Sequence, residues 1–242
     1  MIMAFLSHKQ LHHLKKLQQK KFRYQRQEFL IEGAHLVQEA LKTGLVKLII
    51  STKQESNWSF SNLLFCSTEQ MQKLNTTKNP QDVLALCQFP NQQAIKNQLL
   101  VLNQINDPGN LGTLIRTACA FGFSDVIVQG VDPYNSKTLR ASQGAIFNIN
   151  VVLVNDLKTF LTNLKQKNYF LIAASVNQRA ISYLEVQNHL QMALILGNEA
   201  QGIEPEILAL ADQTVYIPIA FESLNVASAG AILMAALAKK KP

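Results

Sequence analysis

Residues 99–123 read LLVLNQINDPGNLGTLIRTACAFGF. The run Leu99 to Leu102 is unbroken apolar sequence, the pattern of a strand buried on both faces. A polar turn follows, Asn106-Asp107-Pro108-Gly109-Asn110, and then a helical stretch with a single Arg116 that stops at Gly122. Strand, polar turn and helix in series is how an α/β protein presents chemistry at the end of its sheet. Two later stretches have the same form. Leu194-Ile195-Leu196 runs into Gly197-Asn198-Glu199, and Ile217-Pro218-Ile219-Ala220 runs into Phe221-Glu222-Ser223-Leu224-Asn225. The three turns are expected to meet at one site.

On either side of the first turn, apolar runs and amphipathic stretches alternate. Strands are predicted at 99–104, 125–129, 149–154, 169–174, 192–196 and 214–219. Helices are predicted near 111–121, 136–143, 156–167, 204–211 and 224–238. Strict alternation implies a parallel sheet with helices on both faces. Upstream, strands are predicted at 29–31, 46–51, 63–66 and 83–87, with helices over 33–43 and 68–74. That spacing suits a small α/β domain over residues 1–90, joined through a polar linker at 91–98 to a larger one over 99–242.

The first 27 residues hold seven Lys or Arg (Lys9, Lys15, Lys16, Lys20, Lys21, Arg23, Arg26) and no acid, in a chain of 242 residues with net charge +7. Ser7 to Gln27 reads as one basic helix. Lys15, Lys16, Lys20, Lys21, Arg23 and Arg26 are its candidate contacts to an anionic partner such as a nucleic acid. Phe22 and Tyr24, set among the cations, either stack on bases or turn into the core. His8, His12 and His13 read as surface residues. The three cysteines, Cys66, Cys87 and Cys119, have no metal-ligand spacing and lie in apolar surroundings, which suits buried reduced thiols in a cytoplasmic protein. No metal site, signal peptide or membrane span is expected.

Common catalytic signatures do not occur. There is no dinucleotide glycine fingerprint, no phosphate-binding glycine-lysine loop, no paired zinc histidines and no Gly-x-Ser-x-Gly elbow. What remains is a set of neutral, glycine-rich turns with one Arg and one Glu. Such turns let a ligand approach main-chain groups closely and suit a zwitterionic ligand with an aromatic head. Arg116 suits a phosphate or a developing oxyanion, or else simply pairs with Glu199.

Asn106-x-x-x-Asn110-x-Gly112-x-x-x-Arg116, Leu196-Gly197-Asn198-Glu199-x-x-Gly202 and Ile217-Pro218…Glu222-Ser223-Leu224-Asn225-Val226 resemble, in order and spacing, the three motifs of the SpoU (TrmH) family. Arg140-Ala141-Ser142-Gln143-Gly144-Ala145 resembles the family's segment between the first two motifs. The members of that family are RNA ribose 2′-O-methyltransferases of the SPOUT superfamily. Residues 1–90 resemble, more loosely, a ribosomal-protein-like RNA-binding domain, through Phe29-Leu30-Ile31-Glu32-Gly33 and the helix after it.

The resemblance implies a trefoil knot near the C-terminus, a homodimer and S-adenosylmethionine as cofactor. It implies cofactor contacts from Leu196, Gly197, Asn198, Gly202, Ile217, Pro218, Ser223, Leu224 and Asn225, and catalytic roles for Arg116, Asn110, Glu199 and Asn225. Glu199 is expected to position Arg116 or Asn225. Asn106 is either part of the motif or a turn residue, and Ser223 and Asn225 could be helix caps. Ala227, Gly230 and Ala231 form a small-residue face on the last helix that suits close packing. Between Ile217-Pro218 and Ser223 the chain is shorter than many relatives and has Phe221 where glycine is frequent. Ile219 to Glu222 therefore stand outside the transferred contacts. Ribosomal RNA is the expected substrate ahead of tRNA. The alternatives are a catalytically inactive RNA-binding dimer and a small-molecule enzyme with an incidental basic arm.

Overall fold

The computed structural model describes residues 4–53, 58, 60–77, 79–176, 179–187, 189–220 and 222–238. Phe221 lies outside them. Helices α1 (His8–Lys16) and α2 (Lys20–Arg26) lead into strand β1 (Glu28–Glu32), helix α3 (Ala34–Leu41), β2 (Val46–Ser51), β3 (Leu63–Phe65), α4 (Thr68–Leu74) and β4 (Val83–Gln88). These strands form one sheet in the order β1-β4-β2-β3.

The predicted single helix over residues 7–27 is therefore two. Ser7 starts the first with a capping box, and Leu17 to Gln19 close it in tight turns before Gln19, in extended conformation, opens the second. The apolar Leu14 and Leu17 face the sheet from this corner, packing with Leu48, Ile50, Leu84, Met71 and Leu74.

A second sheet is built from β5 (Gln98–Ile105), β6 (Asp125–Gly130), β7 (Asn150–Leu153), β8 (Phe170–Ala174), β9 (Ile181–Ser182), β10 (Met192–Leu196) and β11 (Gln213–Tyr216). Its order is β7-β6-β5-β10-β8-β11-β9, and every pairing is parallel. Helices α5 (Pro108–Ala120), α6 (Ser136–Ser142), α7 (Leu157–Gln166), α8 (Pro205–Leu208) and α9 (Val226–Leu237) cover it.

Alternation along the strands assigns the faces. Leu100, Leu102, Leu194 and Leu196 meet Leu114 of α5 and Leu233 of α9. Leu99, Val101, Ala193 and Ile195 meet Leu161 of α7 and Ile207 of α8. The expected two-faced parallel sheet is present. The two-residue β9 was too short to leave a period in the sequence, and β11 stops at Tyr216 because Pro218 ends the ladder.

Helix α5 begins three residues earlier than its apolar periodicity suggested. Asp107 is its cap, accepting from the Asn110 N–H at 2.8 Å, and Pro108 fills the first turn, where no N–H is needed. Asn110 thus sits in the first helical turn rather than in a loop.

The two sheets share one core. Phe29, Ile31 and Cys87 of the first cluster with Leu100, Val126 and Leu194 of the second. Tyr134, between β6 and α6, lies 4.9 Å from the Phe29 ring and 4.1 Å from that of Phe89. One expectation is overturned here and one open alternative is decided. Arg23, expected to contact RNA, is buried and paired with Asp132. Tyr24 takes the core alternative, donating to Asp132 Oδ1 at 2.9 Å with its ring edge-on to Phe89.

The Arg140–Ala145 segment serves the same junction. Arg140 pairs with Glu32 and donates to Thr76 Oγ1 at 2.8 Å. At Gly144 (φ +85°) a Cβ would fall 2.7 Å from Glu39 Cγ of α3.

The small-residue face of α9 also works inside the chain. A Cβ at Gly230 would come within 2.5 Å of Leu114 Cδ2 and 2.9 Å of Leu196 Cδ1, and Ala227 is buried.

Candidate active site

Strands β5 and β10 are neighbours in register, with Leu102 beside Leu196. Their carboxyl ends therefore deliver the first two turns side by side. In an open parallel sheet this is where ligands bind. Asn110, on the first turn of α5, donates from Nδ2 to Glu199 Oε1 at 2.6 Å. Its Oδ1 accepts from Asn225 Nδ2 at 3.1 Å. Asn225 Oδ1 in turn caps α9, accepting from Ala227 N at 2.9 Å. One chain of side-chain contacts, Glu199–Asn110–Asn225, thus joins all three turns. Asn225 is both a cap and a member of it.

Arg116 projects from α5 less than two turns beyond Asn110, about 9 Å along the axis. It is exposed and makes no hydrogen bond or ion pair with another described residue. The simple Arg116–Glu199 pair is not formed; Glu199 Oε1 accepts from Asn110 instead. Glu199 reaches Asn225 through Asn110 rather than directly. Lys137 adds a second cation at this end of α5, bonded to Asp107 Oδ2 at 2.7 Å. That ammonium, with the Asn110 N–H, holds the Asp107 carboxyl below its ordinary range. Asn106 is exposed and plays no part in the hydrogen-bonded chain.

The second turn is shaped by what glycine omits. A Cβ at Gly197 would lie 2.3 Å from the Gly202 carbonyl carbon and 2.4 Å from Ile203 N. Gly202 has φ +72°, which an L side chain rarely adopts. Asn198 pairs its main chain with Gly202, and its Oδ1 accepts from Ala200 N and Gln201 N. Its Nδ2 donates to the Gln104 carbonyl at 2.9 Å. Gln104 (φ +57°) sits where β5 slips register against β6, a bulge that aims this carbonyl at the neighbouring turn.

Of the other residues expected to line the cofactor, Leu196 has its side chain in the core against α9, leaving only its main chain to offer. Ile217 is half-buried; Pro218, Ser223 and Leu224 are exposed. The main-chain N–H groups of Ile219, Ala220, Ser223 and Leu224 find no main-chain acceptor among the described residues. Unpaired donors beside the exposed apolar side chains Ile219 and Leu224 fit S-adenosylmethionine, a zwitterion with an aromatic head.

Of the basic candidates, Lys15, Lys20, Lys21 and Arg26 are exposed and Lys16 half-exposed; Arg23 alone is withdrawn. His13 is not a bare surface residue, since its ring nitrogen lies 3.0 Å from Glu28, which also pairs with Lys47. Among the described residues no group of three or more His, Cys, Asp and Glu could hold a metal, and no helix is long and apolar enough to cross a membrane. Sequence reading missed Asn103, fully buried in β5 and bonded to Glu204 and Gln129. The available signal was a lone polar residue closing an apolar strand.

Comparison with known proteins agrees with this geometry. The SpoU rRNA Methylase family model matches residues 97–235, and the MRM3-like substrate binding domain model matches residues 8–85. The 23S rRNA (guanosine(2553)-2′-O)-methyltransferase RlmP of Bacillus subtilis strain 168 is 38% identical over 231 residues, 91% of this chain and 92% of that protein. An rRNA methyltransferase from Sinorhizobium meliloti superposes with TM-score 0.85 at 26% identity, over 97% of this chain and 95% of that one. Its AdoMet-bound form superposes with TM-score 0.83 at 25% identity, with the same coverage. The parallel sheet, the joined turns and these matches together show that the chain belongs to the SpoU rRNA methylase family.

Proposed function

We propose that this protein transfers a methyl group from S-adenosylmethionine to a ribose 2′-hydroxyl of ribosomal RNA. The observation that carries the reading is the Glu199–Asn110–Asn225 chain beside the uncommitted Arg116. The cofactor, when bound, supplies an electrophilic methyl; the ribose hydroxyl is a poor nucleophile and must be aligned and relieved of its proton. An arginine guanidinium is a poor base. The role of Arg116 is to hold the target phosphate and stabilise the forming alkoxide. Asn110, tied at both ends, holds the ribose or phosphate beside Arg116, and Glu199 fixes the orientation of that amide. The turns 196–202 and 217–225 hold the cofactor through main-chain groups, Gly197 and Gly202 allowing the close approach.

Residues 1–90 form the RNA-binding domain, 91–98 the linker and 99–242 the catalytic domain. Lys15, Lys16, Lys20, Lys21 and Arg26 contact the RNA backbone. The protein acts in the cytoplasm as a homodimer, and its C-terminal turns form the knot of the SPOUT fold. The knot, the homodimer and the RNA-binding character of the first domain rest on family resemblance; the bounds rest on the spacing of the elements, the contacts on exposed positive charge, and the compartment on the free cysteines.

The test is methyl transfer from labelled S-adenosylmethionine to total RNA from a strain lacking the protein, comparing wild type with Arg116→Ala. The expected outcome is label in one rRNA at an alkali-resistant linkage, lost in the variant. Cofactor binding with label only in tRNA would overturn the rRNA assignment. No transfer and no cofactor binding would overturn the enzyme reading.

A further inference from the structure

The turn between β10 and α8 is held at both ends by two successive residues of β5. At one end the Gln104 carbonyl accepts from Asn198 Nδ2 at 2.9 Å. At the other, Asn103 makes a reciprocal pair with Glu204. Asn103 Oδ1 accepts from the Glu204 main-chain N–H at 2.8 Å, and Asn103 Nδ2 donates to Glu204 Oε2 at 2.6 Å. The second proton of Nδ2 goes to Gln129 Oε1 at 2.8 Å, and Gln129 Nε2 reaches the Asn155 carbonyl. Asn103 is fully buried, and both its amide protons and its oxygen are in use.

We infer that Asn103 is a positioning residue for the cofactor: through Glu204 it fixes the far end of the 197–204 turn. The inference rests on the reading of that turn as a cofactor wall. Three features carry it. First, Glu199, Ala200, Gln201 and Gly202 are exposed; the turn is closed on itself by Asn198 and seated by the buried Ile203, and the side-chain hydrogen bonds that tie it to β5 are those at Gln104 and Asn103. Secondly, both anchors lie on the strand that feeds α5, so the turn is registered against the helix carrying Asn110 and Arg116. Thirdly, an amide is the neutral side chain that can accept from the Glu204 main chain and donate to its carboxylate at once. Aspartate would lose the donor and set two carboxylates against each other in a buried site.

The test is titration of S-adenosylmethionine, without RNA, into wild type, Asn103→Asp, Glu204→Gln and the double variant, followed by steady-state methyl transfer. Glu204→Gln keeps an acceptor for Asn103 and is expected to bind within about 2-fold of wild type. Asn103→Asp is expected to weaken cofactor binding about 10-fold or more, raising KM for the cofactor while kcat at saturation changes by less than about 3-fold. In the double variant the acid and the amide are exchanged, so the new amide at the head of α8 can donate to the new carboxylate on β5. Recovery of affinity to within about 3-fold of wild type is expected. If Asn103→Asp does not fold, the double variant decides by itself: folded and binding supports the inference, folded and not binding overturns it. Equal affinity in wild type and Asn103→Asp overturns it too. Failure of wild type to bind the cofactor would instead sink the underlying reading of the site.

Discussion

Arg23 and Asp132 stand 109 residues apart in sequence and in contact in the fold. The guanidinium spends its Nε proton and one Nη2 proton on Asp132 Oδ2 and its two Nη1 protons on the Leu17 and Gln18 carbonyls. Asp132 Oδ1 accepts from Tyr24 and from the Tyr134 N–H. The two side chains are 6% and 5% exposed. A buried charge with four of its five N–H donors matched is stable as a pair and costly to halve. Replacing Arg23 by Ala strands the carboxylate and is expected to cost about 3–5 kcal/mol. The check is the denaturant midpoint. Arg23→Ala plus Asp132→Ala should cost less than the sum of the two single changes.

The exposed cations of the same arm behave differently. Alanine at Lys15, Lys20, Lys21 or Arg26 is expected to leave the melting temperature unchanged. Each change should weaken RNA binding and reduce its salt slope by about 1. Filter binding across a salt series separates these residues from Arg23.

Gly197 is expected to tolerate no side chain. Alanine would press its methyl onto the Gly202 carbonyl, forcing the turn open. Gly197→Ala should retain the fold and lose cofactor affinity, read by calorimetric titration. Gly122→Ala, where a Cβ meets nothing within 4 Å, should cost only the strain of its positive φ and leave affinity unchanged.

The Asp107 carboxyl is held low by Lys137 and by the Asn110 N–H. A lowered folded value means that its stabilisation is present above the unfolded value, about 4. It is lost as pH falls through the folded value. Asp107→Asn keeps the helix cap but not the charge. The variant should be less stable than wild type at neutral pH, and the difference should vanish in acid. Denaturation curves across that range test it.

Burial pushes the Cys66 thiol up to about 11, raises Cys119, and raises Cys87 further. Cys66 and Cys87 are buried and are expected to resist an aromatic disulfide reagent at pH 8 in the native protein, while Cys119, expected to be buried but only half-buried, should react slowly. In denaturant all three should react.

Much of this architecture could be read from the chain. The centres of β5, β6, β8 and β10 announce themselves because burial on both faces keeps Leu99–Leu102, Val126–Val128, Leu171–Ala173 and Met192–Leu196 apolar. The three turns could be grouped because each pairs an apolar run with Gly, Pro and Asn. Arg23 was misread because its partner lies beyond any local window, and because a basic stretch gives no sign of which cation turns inward. Gly230 was legible as a close contact but not as to which surface it touches, since a small residue records only the absence of atoms. Asn103 was passed over because a polar residue at a strand end looks like the first residue of the turn.

The core common to both sheets has a thermodynamic consequence. Phe29, Phe89 and Tyr134 pack across the boundary as they would inside one domain, and the chain between the sheets crosses from Phe89 to Asn97 without a helix or strand. Neither half has a finished surface where the other meets it. Cutting the chain in that connection would bare an aromatic face on both fragments. Heating the intact molecule should melt it in a single cooperative step. A protein with the sequence of two parts would thus have the stability of one.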